Sequence, residues 1–385
     1  MKVTQIAEIM NDVTAQILGT DAVDSVDASS IVDAGRNALN STDVENYTRV
    51  LMDRIGKTIF VNRPYAGSAP SVVMDGTLFG SIIQKISTDI PDAEDNPTWN
   101  LVDGQTYNQD IFTAPVVTQK LWNSKRTLQV KRSTVDTQLY SAFDGIEQLN
   151  AFISMIVNYA ETSLTVKLDG VIRATIAGMI GDTLYNAYNS GNTFTGVGNT
   201  RAVNLLARYN AANGLSLTAQ QAITSPEFIR YAAYQIGLFK KRMGDVSRLF
   251  NIGGTAKFTP NDRLHTVFLS EFWNAAEVYL QSDTFHDNLV RFPRAEEVSF
   301  WQGSGTGYDF ASTSSIEIKT PGNHTVTASG VLAVLFDRDA LGVANMKRYT
   351  TTHYNASAEF LNTWFKMDVT PWMDANENFI VFFAA

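Results

Sequence analysis

The stretch VLFDRDALGVANM, residues 334–346, places Asp337 and Asp339 in a predicted turn directly after an apolar run. Two interpretations fit this pattern: half of a calcium-binding loop, or the joint between two parts of a domain. An EF-hand loop needs an oxygen ligand at its fifth position and a bidentate Glu at its twelfth. Leu341 and Arg348 hold these two positions, so the ligand set argues against calcium.

The composition limits the classes of protein to which the chain can belong. With 385 residues and 44% hydrophobic content, it can bury the core of one elaborated domain or of two closely packed ones. Its formal charge of -9 argues against a dedicated nucleic-acid reader, which needs a basic surface to displace counterions from phosphates. Because the chain has no cysteine, disulfides, thiolate metal sites and a cysteine nucleophile are excluded.

The N-terminal part, to about residue 57, is rich in Asp, Ser, Asn and Ala, and its Ile, Val and Leu are spaced too thinly to form a core. This composition predicts an arm that lies on another surface. No segment has the uninterrupted apolar core of a signal peptide or about 18 apolar residues in a row. We therefore expect no membrane association, and synthesis in a cytoplasm.

The segment after residue 81 separates its charges into an acidic limb and a basic limb. The acidic limb carries Asp89, Asp92, Glu94 and Asp95, and the basic limb carries Lys120, Lys125, Arg126, Lys131 and Arg132. One interpretation is a hairpin whose two strands are solvated, since runs of charge usually face water. The other is a long projecting loop whose charges pair with neighbouring copies, because aligned opposite charges set register and partner choice.

A long helix is predicted to follow this segment. From Ile146 to Met179, apolar residues keep helical spacing for more than 30 residues, and Asp144 can cap the start. At about 1.5 Å per residue the helix would span roughly 50 Å. Gly170 and Gly178 are the positions at which it would bend or end.

The remainder alternates helical and strand-like pieces. Helices are predicted at 226–243, opened by Ser225 as N-cap, and at 268–280, and strands at 266–269, 315–319 and 331–336. Near the end, Phe365, Met367 and Val369 alternate with polar residues, which predicts a sheet with one wet face. The run NFIVFF, residues 378–383, predicts a strand buried on both faces.

Motifs that would carry chemistry are missing from the sequence. None of the histidines, His265, His286, His324 and His353, has a second ligand at the short spacing of a metal pair on a helix. The run GSGTG, residues 303–307, lacks the Lys-Ser/Thr pair of a phosphate loop, and no G-x-S-x-G occurs. We therefore expect no catalytic residue, metal or cofactor.

The C-terminal residues resemble a known family. The runs AVLFDRDALGV, KRYTTTHYNASAEFLNTWFKMD and DANENFIVFF are similar to the closing segment of tailed-phage major capsid proteins, which share the Hong Kong 97 (HK97) shell fold. The pattern is an apolar strand, D-x-D-A-L-G ending at Gly342, a Thr-rich stretch before Tyr354, and N-E-N before the last apolar residues. Only residues 333–383 carry this pattern, and the rest of the chain agrees in the order of its elements.

The resemblance implies an α+β, HK97-like fold with a defined order of parts. These are an N-terminal arm (1–57), the start of the peripheral domain (58–80), the extended loop or E-loop (81–133), a peripheral-domain segment with the spine helix (134–182), the axial domain (183–342) and the C-terminal strands of the peripheral domain (343–385). Residues 334–346 would then cross from the axial to the peripheral domain. Asp337, Asp339 and Gly342 would form the structural turn, the two acids accepting hydrogen bonds from backbone N–H groups.

The resemblance also implies partners. The chain would assemble with itself into pentamers and hexamers of an icosahedral or prolate head shell around double-stranded DNA, with the charged limbs of the extended loop between subunits. Its other partners would be the portal, scaffolding and decoration or head-fibre proteins, with non-specific contact to packaged DNA. It would be assembled in the host bacterial cytoplasm, end in the virion and catalyse no reaction.

Two alternatives remain open at this point. One is an encapsulin-like compartment protein, which uses the same fold to enclose an enzyme. The other is a glycan-processing enzyme or sugar-binding module, suggested by the acidic pI, the aromatic content and the Thr/Asn-rich loops. As an enzyme it would be a monomer with two carboxylates facing each other across a cleft.

Overall fold

The apolar stripe of the sequence forms one continuous helix, α1 (Ile146–Tyr188), of 43 residues. At about 1.5 Å per residue it is about 65 Å long, which exceeds the predicted length. The helix continues past Gly170 and Gly178, so the prediction that it would end at one of them is wrong. A Cβ atom on Gly181 would stand 2.8 Å from Cγ2 of Ile318, so glycine lets a neighbouring hairpin approach the helix backbone.

The structure is a computed structural model, and it describes the larger part of the chain. The described residues are 50, 69–75, 82–88, 90, 93, 95–107, 112, 114–138, 146–281, 295–302, 307, 309–320 and 323–385. Except for Val50, the predicted arm lies outside this part, as do Asp144, His286 and residues 303–306 of the GSGTG run.

A four-stranded sheet packs on α1. Its order is β1 (Val73–Asp75), β11 (Leu341–Asn355), β12 (Phe360–Met373) and β4 (Arg126–Val135), with β1 parallel to β11 and the other pairs antiparallel. Phe365, Met367 and Val369 of β12 are buried, as the alternation predicted. The prediction that the other face of β12 is solvated is partly wrong, because Asp368 on that face is also buried. Its carboxylate is covered by Thr127 of β4 and by Lys125, the residue before β4.

A second, five-stranded sheet shares the same hydrophobic core. Its order is β5 (Ala202–Asn204), β13 (Phe379–Phe383), β10 (Val331–Asp337), β6 (Leu264–Leu269) and β7 (Ala295–Val298). Every residue of β6, β10 and β13 is buried, which confirms the doubly buried strand predicted for NFIVFF. The prediction grouped residues 343–385 together, whereas β13 hydrogen-bonds to β10 of the 183–342 segment.

The remaining elements surround the two sheets. Two hairpins are formed by β2 (Ile83–Thr88) with β3 (Val117–Trp122) and by β8 (Ile316–Lys319) with β9 (Thr325–Ala328). The shorter helices are α2 (Leu205–Asn213), α3 (Ala219–Ile223), α4 (Pro226–Arg242), α5 (Ser270–Gln281) and α6 (Phe310–Thr313). The predicted N-cap of α4 is confirmed, since the Ser225 side chain accepts a hydrogen bond from the Phe228 N–H. Among the described helices, none has the length and apolar character needed to cross a bilayer.

Two neighbouring connections join the sheets. One is the turn between β10 and β11, and the other, residues 374–378, links β12 to β13. They are bonded to each other: the Asp337 N–H donates to the Asn378 carbonyl at 2.9 Å, and the Asp374 N–H donates to the Ala340 carbonyl at 2.7 Å. We call this pair of connections the seam.

Candidate functional site

The two-stranded hairpin β2–β3 is mounted on the seam by charged side chains. Lys85 of β2 and Lys120 of β3 are direct partners in the antiparallel register, so both side chains lie on the same face. Like charges placed opposite one another destabilise a strand pair unless a counter-charge lies between them.

Asp374 supplies that counter-charge. Its Oδ2 atom lies 2.8 Å from Nζ of Lys85 and its Oδ1 atom 2.6 Å from Nζ of Lys120. Glu377 extends the network, with Oε1 at 2.8 Å from Lys85 and at 3.2 Å from Nζ of Lys257. Three lysines and two acids therefore alternate, and we call this group the hairpin latch.

Burial and pairing together set the ionisation of the latch. Burial alone would lower the pKa of Lys85, but hydrogen bonds to Asp374 and Glu377 outweigh it and the pKa is raised. Burial alone would raise the pKa of Asp374, but hydrogen bonds from Lys120, Lys85 and the Asn376 N–H lower it. Both shifts favour the charged forms, so the latch holds as a set of ion pairs.

An aromatic contact also holds the hairpin β2–β3 against the end of β12. The indole N–H of Trp122, at the end of β3, donates to the Met373 carbonyl at 3.0 Å. The Trp122 and Trp372 rings lie 5.5 Å apart. Gly342 is placed in β11 rather than in the turn, opposite Trp372, and a Cβ there would stand 3.0 Å from the Trp372 ring. Glycine at this position gives the Trp372 ring room to lie against β11.

The turn at Asp337 and Asp339 is bonded internally and to the latch. The buried Asp337 carboxylate accepts the Asp339 N–H at 2.9 Å, and burial raises the pKa of Asp337. Arg263 pairs with Asp339 and lies 3.7 Å from the Asp337 carboxylate. Lys85 donates to the Asp339 carbonyl at 3.1 Å, so the hairpin lysine also holds this turn.

The opposite face of the hairpin carries three exposed apolar side chains beside Gln84, Thr88 and Gln119. Its exposed fractions are 63% for Ile86, 54% for Val117 and 58% for Leu121. Further along the same segment, Trp99 is 94% exposed and Phe112 87% exposed. Exposed apolar groups gathered on one element are typical of a surface that another protein covers.

The residues of the predicted basic limb do not all have the same surroundings in the structure. Lys120 pairs with Asp374, and Nζ of Lys125 lies 2.8 Å from Oδ2 of the buried Asp368, both within the chain. The sequence pattern missed these partners because both acids lie more than 200 residues later.

Other members of the two limbs lie elsewhere. Lys131 lies over the Trp364 ring, the Arg132 guanidinium lies over the Tyr159 ring, and Arg126 is exposed at the start of β4. Of the acidic limb, Asp95 is exposed, whereas Asp89, Asp92 and Glu94 fall outside the described residues.

Of the three histidines that the structure describes, His353 is exposed, His324 stacks on the Tyr185 ring and His265 lies in the core. His265 is buried, stacks on Phe336, and its Nε2 lies 2.8 Å from Oε2 of Glu296. Glu296 also accepts the Ser71 N–H at 2.8 Å, so it ties the segment before β1 to the five-stranded sheet. In the described part of the chain, no group of three or more His, Cys, Asp or Glu side chains could hold a metal ion.

Solved structures share this fold. One chain of the structure described as "Capsid structure of Staphylococcus phage Andhra" is 9% identical, with a TM-score of 0.50 over 84% of this chain and 86% of that chain. One chain of the "Structure of head fiber and inner core protein gp22 of native bacteriophage P68" is 8% identical, with a TM-score of 0.52 over 84% and 87% of the two chains. At these identities the likeness establishes the fold alone.

Sequence comparison establishes the family. No curated protein matches the chain. The family model described as "Phi29-like phage major capsid protein", however, matches residues 6–383, which is nearly the whole sequence. This match, with the shared fold, confirms the predicted α+β capsid fold and the resemblance to tailed-phage capsid proteins. The chain therefore belongs to the family of Phi29-like phage major capsid proteins.

Proposed function

We propose that this head-shell protein assembles as rings of five and six copies, and that the hairpin β2–β3 with its connecting loop clamps one copy to the next. The exposed apolar side chains on the outer face of the hairpin are the observation that carries this proposal. Ile86, Val117 and Leu121 expose more than half of their surface, at a place where the latch fixes the opposite face. Covering such groups with a neighbouring copy would remove apolar area from water at about 25 cal/mol per Å².

The latch suits this role because it orients the hairpin before assembly. A clamp that is already fixed loses less conformational freedom on binding than a flexible loop does. The two acids of the latch are each held by two lysines, which fits an ion-paired joint better than a pair of catalytic carboxylates.

The two sheets support a division into two structural parts. We propose that the four-stranded sheet with α1 is the peripheral domain, and that the five-stranded sheet belongs to the axial domain. The stretch 334–346 is then the crossing between them. In this division the last strand, β13, joins the axial domain, which modifies the predicted boundary at residue 343.

We also propose the other partners that the family resemblance implies. Portal, scaffolding and decoration or head-fibre proteins of the same phage, and packaged double-stranded DNA, are the expected contacts of the shell. Assembly in the host cytoplasm and a final place in the virion belong to the same proposal. The encapsulin-like and glycan-processing alternatives are not supported by the family match.

Particle size tests the proposal. We would express the chain alone and with a candidate scaffolding protein, and examine both by sedimentation and negative-stain microscopy. Closed shells, or rings of five and six, are expected. A folded monomer under every condition would overturn the proposal.

A matched pair of variants tests the hairpin face. Ile86→Asp with Leu121→Asp should leave folded subunits that fail to assemble. Val246→Asp with Leu249→Asp is the control, because these side chains are similarly exposed, at 58% and 60%, and lie far from the hairpin in sequence. Normal shells from the hairpin variant would show that this face is not the clamp.

A further inference from the structure

The part of the chain from residue 201 to residue 263 has the opposite charge to the whole. It contains nine Lys or Arg residues and three acids, Glu227, Asp245 and Asp262, in a chain whose formal charge is -9. These residues form the edge strand β5, the helices α2 to α4 and the loop that leads into β6. Such a reversal of charge within one chain is typical of a segment that meets an anion.

Two of the nine cations are neutralised inside the chain. Lys257 pairs with Glu377 of the latch, and Arg263 pairs with Asp339 of the turn. These two therefore serve the joint between the sheets. Other cations of the segment are arranged differently.

Two arginines of this segment lie beside the same aromatic ring. Cζ of Arg208, in α2, and Cζ of Arg242, at the end of α4, are each 5.8 Å from the centre of the Phe239 ring. Burial lowers the pKa of Arg208, and the nearby charge of Arg242 lowers it further. Because two like charges this close repel each other, an anion bound between them would stabilise both.

Two more arginines belong to the loops beside this pair. Arg208 donates through Nε and Nη2 to carbonyls of the loop 197–201, at 2.8 Å and 3.0 Å. Arg201, the last residue of that loop, donates through Nη1 at 2.9 Å to a carbonyl of the loop 247–252. The second loop contains the exposed Arg248. We call Arg201, Arg208, Arg242 and Arg248 the arginine cluster.

The arginine cluster has no compensating acid in the described part of the chain. None of its four members forms an ion pair with an Asp or Glu side chain there. Burial lowers the pKa of Arg201, the direction expected of a guanidinium without a carboxylate beside it. Arg208 uses two of its five N–H groups on backbone carbonyls, so the others are left for a further acceptor.

We propose that the arginine cluster is a binding site for phosphate groups. A guanidinium presents two parallel N–H donors that match two phosphate oxygens, and it keeps its charge at neutral pH. A phosphate group concentrates up to two negative charges on three oxygens, so it satisfies several arginines at once better than a single carboxylate does. The backbone of DNA and a free oligophosphate are the two sources of this chemistry.

Assembly would multiply the site. In rings of five and six copies the arginine cluster recurs once per copy, so a long polyanion would bind several clusters together and gain avidity. This multiplication rests on the proposed function, whereas the site within one copy does not. The release of counterions from phosphates would favour binding and make it depend on salt.

Calorimetric titration of unassembled subunits with inorganic triphosphate tests the site. Arg242→Gln with Arg248→Gln removes its two exposed members, and should weaken binding about tenfold or more because two charge-assisted contacts are lost. Arg201 and Arg208 are left unaltered because they also hold the loops. The matched control is Arg126→Gln with Arg338→Gln, two exposed arginines outside the segment, and it should bind as the unaltered chain does.

Titration with a short DNA duplex tests the other source. The logarithm of the binding constant falls with the logarithm of the salt concentration, with a slope of about 0.9 for each phosphate contact. The double variant of the arginine cluster should therefore reduce this slope by about two, and the control variant should leave it unchanged. A purely structural role of the two arginines would not alter the slope.

The outcomes separate the sources and the proposals. Binding of triphosphate alone identifies a free oligophosphate, and binding of DNA alone identifies the nucleic-acid backbone; either result supports the site. Unaltered subunits that bind neither, or a double variant that binds both as well as the control, would overturn it. A double variant that keeps phosphate binding but forms no shells would assign the cluster to carboxylates of another copy and also overturn it. Since these subunits are tested before assembly, failure of the unaltered chain to form shells counts against the proposed function alone.

Discussion

Nζ of Lys120 lies 2.6 Å from Oδ1 of Asp374, a residue 254 positions later in the chain. Through this ion pair a strand of the projecting hairpin is bonded to the connection between the two sheets. The Asp374 side chain is only 2% exposed, whereas that of Lys120 is 29% exposed. Asp374 is therefore held in the interior, and the more exposed Lys120 side chain extends to it.

Replacing Asp374 should lower the free energy of unfolding more than replacing Lys120. In Asp374→Asn, Lys85 and Lys120 remain opposite each other without their shared carboxylate. We expect a loss of about 2–3 kcal/mol in the free energy of unfolding, less than for a fully buried pair because both lysines are partly exposed. Urea unfolding of unassembled subunits measures this loss. Lys120→Met, which leaves Asp374 paired with Lys85, should cost about 1 kcal/mol. Equal losses in both variants would contradict the bridging role of Asp374.

The contribution of Asp374 should depend on pH in a defined window. Its folded pKa is lowered from a usual value of about 3.9, so the stabilisation is present above the unfolded pKa and is lost as pH falls through the folded one. The difference in unfolding free energy between the unaltered chain and Asp374→Asn should stay constant from about pH 8 to about pH 5, and shrink below about pH 4. A difference that already shrinks between pH 7 and 5 would argue against this carboxylate as the source.

Two adjacent cations should behave differently on reversal of charge. Lys125→Glu places a carboxylate beside the buried Asp368, so the midpoint of thermal unfolding should fall steeply. Arg126→Glu, at an exposed position, should leave the midpoint nearly unchanged. If Arg126→Glu nevertheless abolishes shells, Arg126 takes part in subunit contact. Similar unfolding midpoints for both variants would contradict a structural role for Lys125.

A methyl group at Gly342 should disturb the packing of the Trp372 ring against β11. Because its Cβ would stand 3.0 Å from the Trp372 ring, Gly342→Ala should cost about 1–3 kcal/mol and shift the tryptophan fluorescence. Gly170→Ala is the control, since nothing lies within 4 Å of a Cβ at that helix position. It should stabilise the protein by about 1 kcal/mol. A neutral Gly342→Ala would show that the Trp372 ring can move without loss.

Glu296 should hold the segment before β1. Glu296→Gln removes the charge that accepts from Ser71 and faces His265, and should cost about 1.5–3 kcal/mol. Hydrogen exchange followed by mass spectrometry should speed up for residues 71–75. The exposed neighbour Glu297→Gln should leave exchange there unchanged. Equal exchange in both variants would mean that other contacts hold this segment.

Local periodicity was sufficient to predict much of the fold. The stripe of α1, the cap at Ser225 and the alternation at Phe365 each repeat over a few residues, so the pattern is visible in a single sequence. The family also became recognisable from residues 333–383, because the turn and the strands around it lie close together in the chain.

Contacts between distant residues could not be predicted in the same way. The alternation around Asp368 predicted that its side chain is solvated. That prediction failed because periodicity does not show that Lys125 lies above it. The run NFIVFF predicted burial but not which sheet would accept it, since either sheet could bury such a strand. The partners of Lys120 and Lys125 depend on ion pairs between segments more than 200 residues apart.

The place of β13 has a consequence for synthesis on the ribosome. It lies between β5 and β10, yet of the five strands in that sheet it is translated last. Until residues 379–383 emerge, β5 has no neighbour in the sheet and one edge of β10 stays open. A chain that ends before these residues would lack a closed sheet, and we therefore expect growing particles to leave such truncated products out.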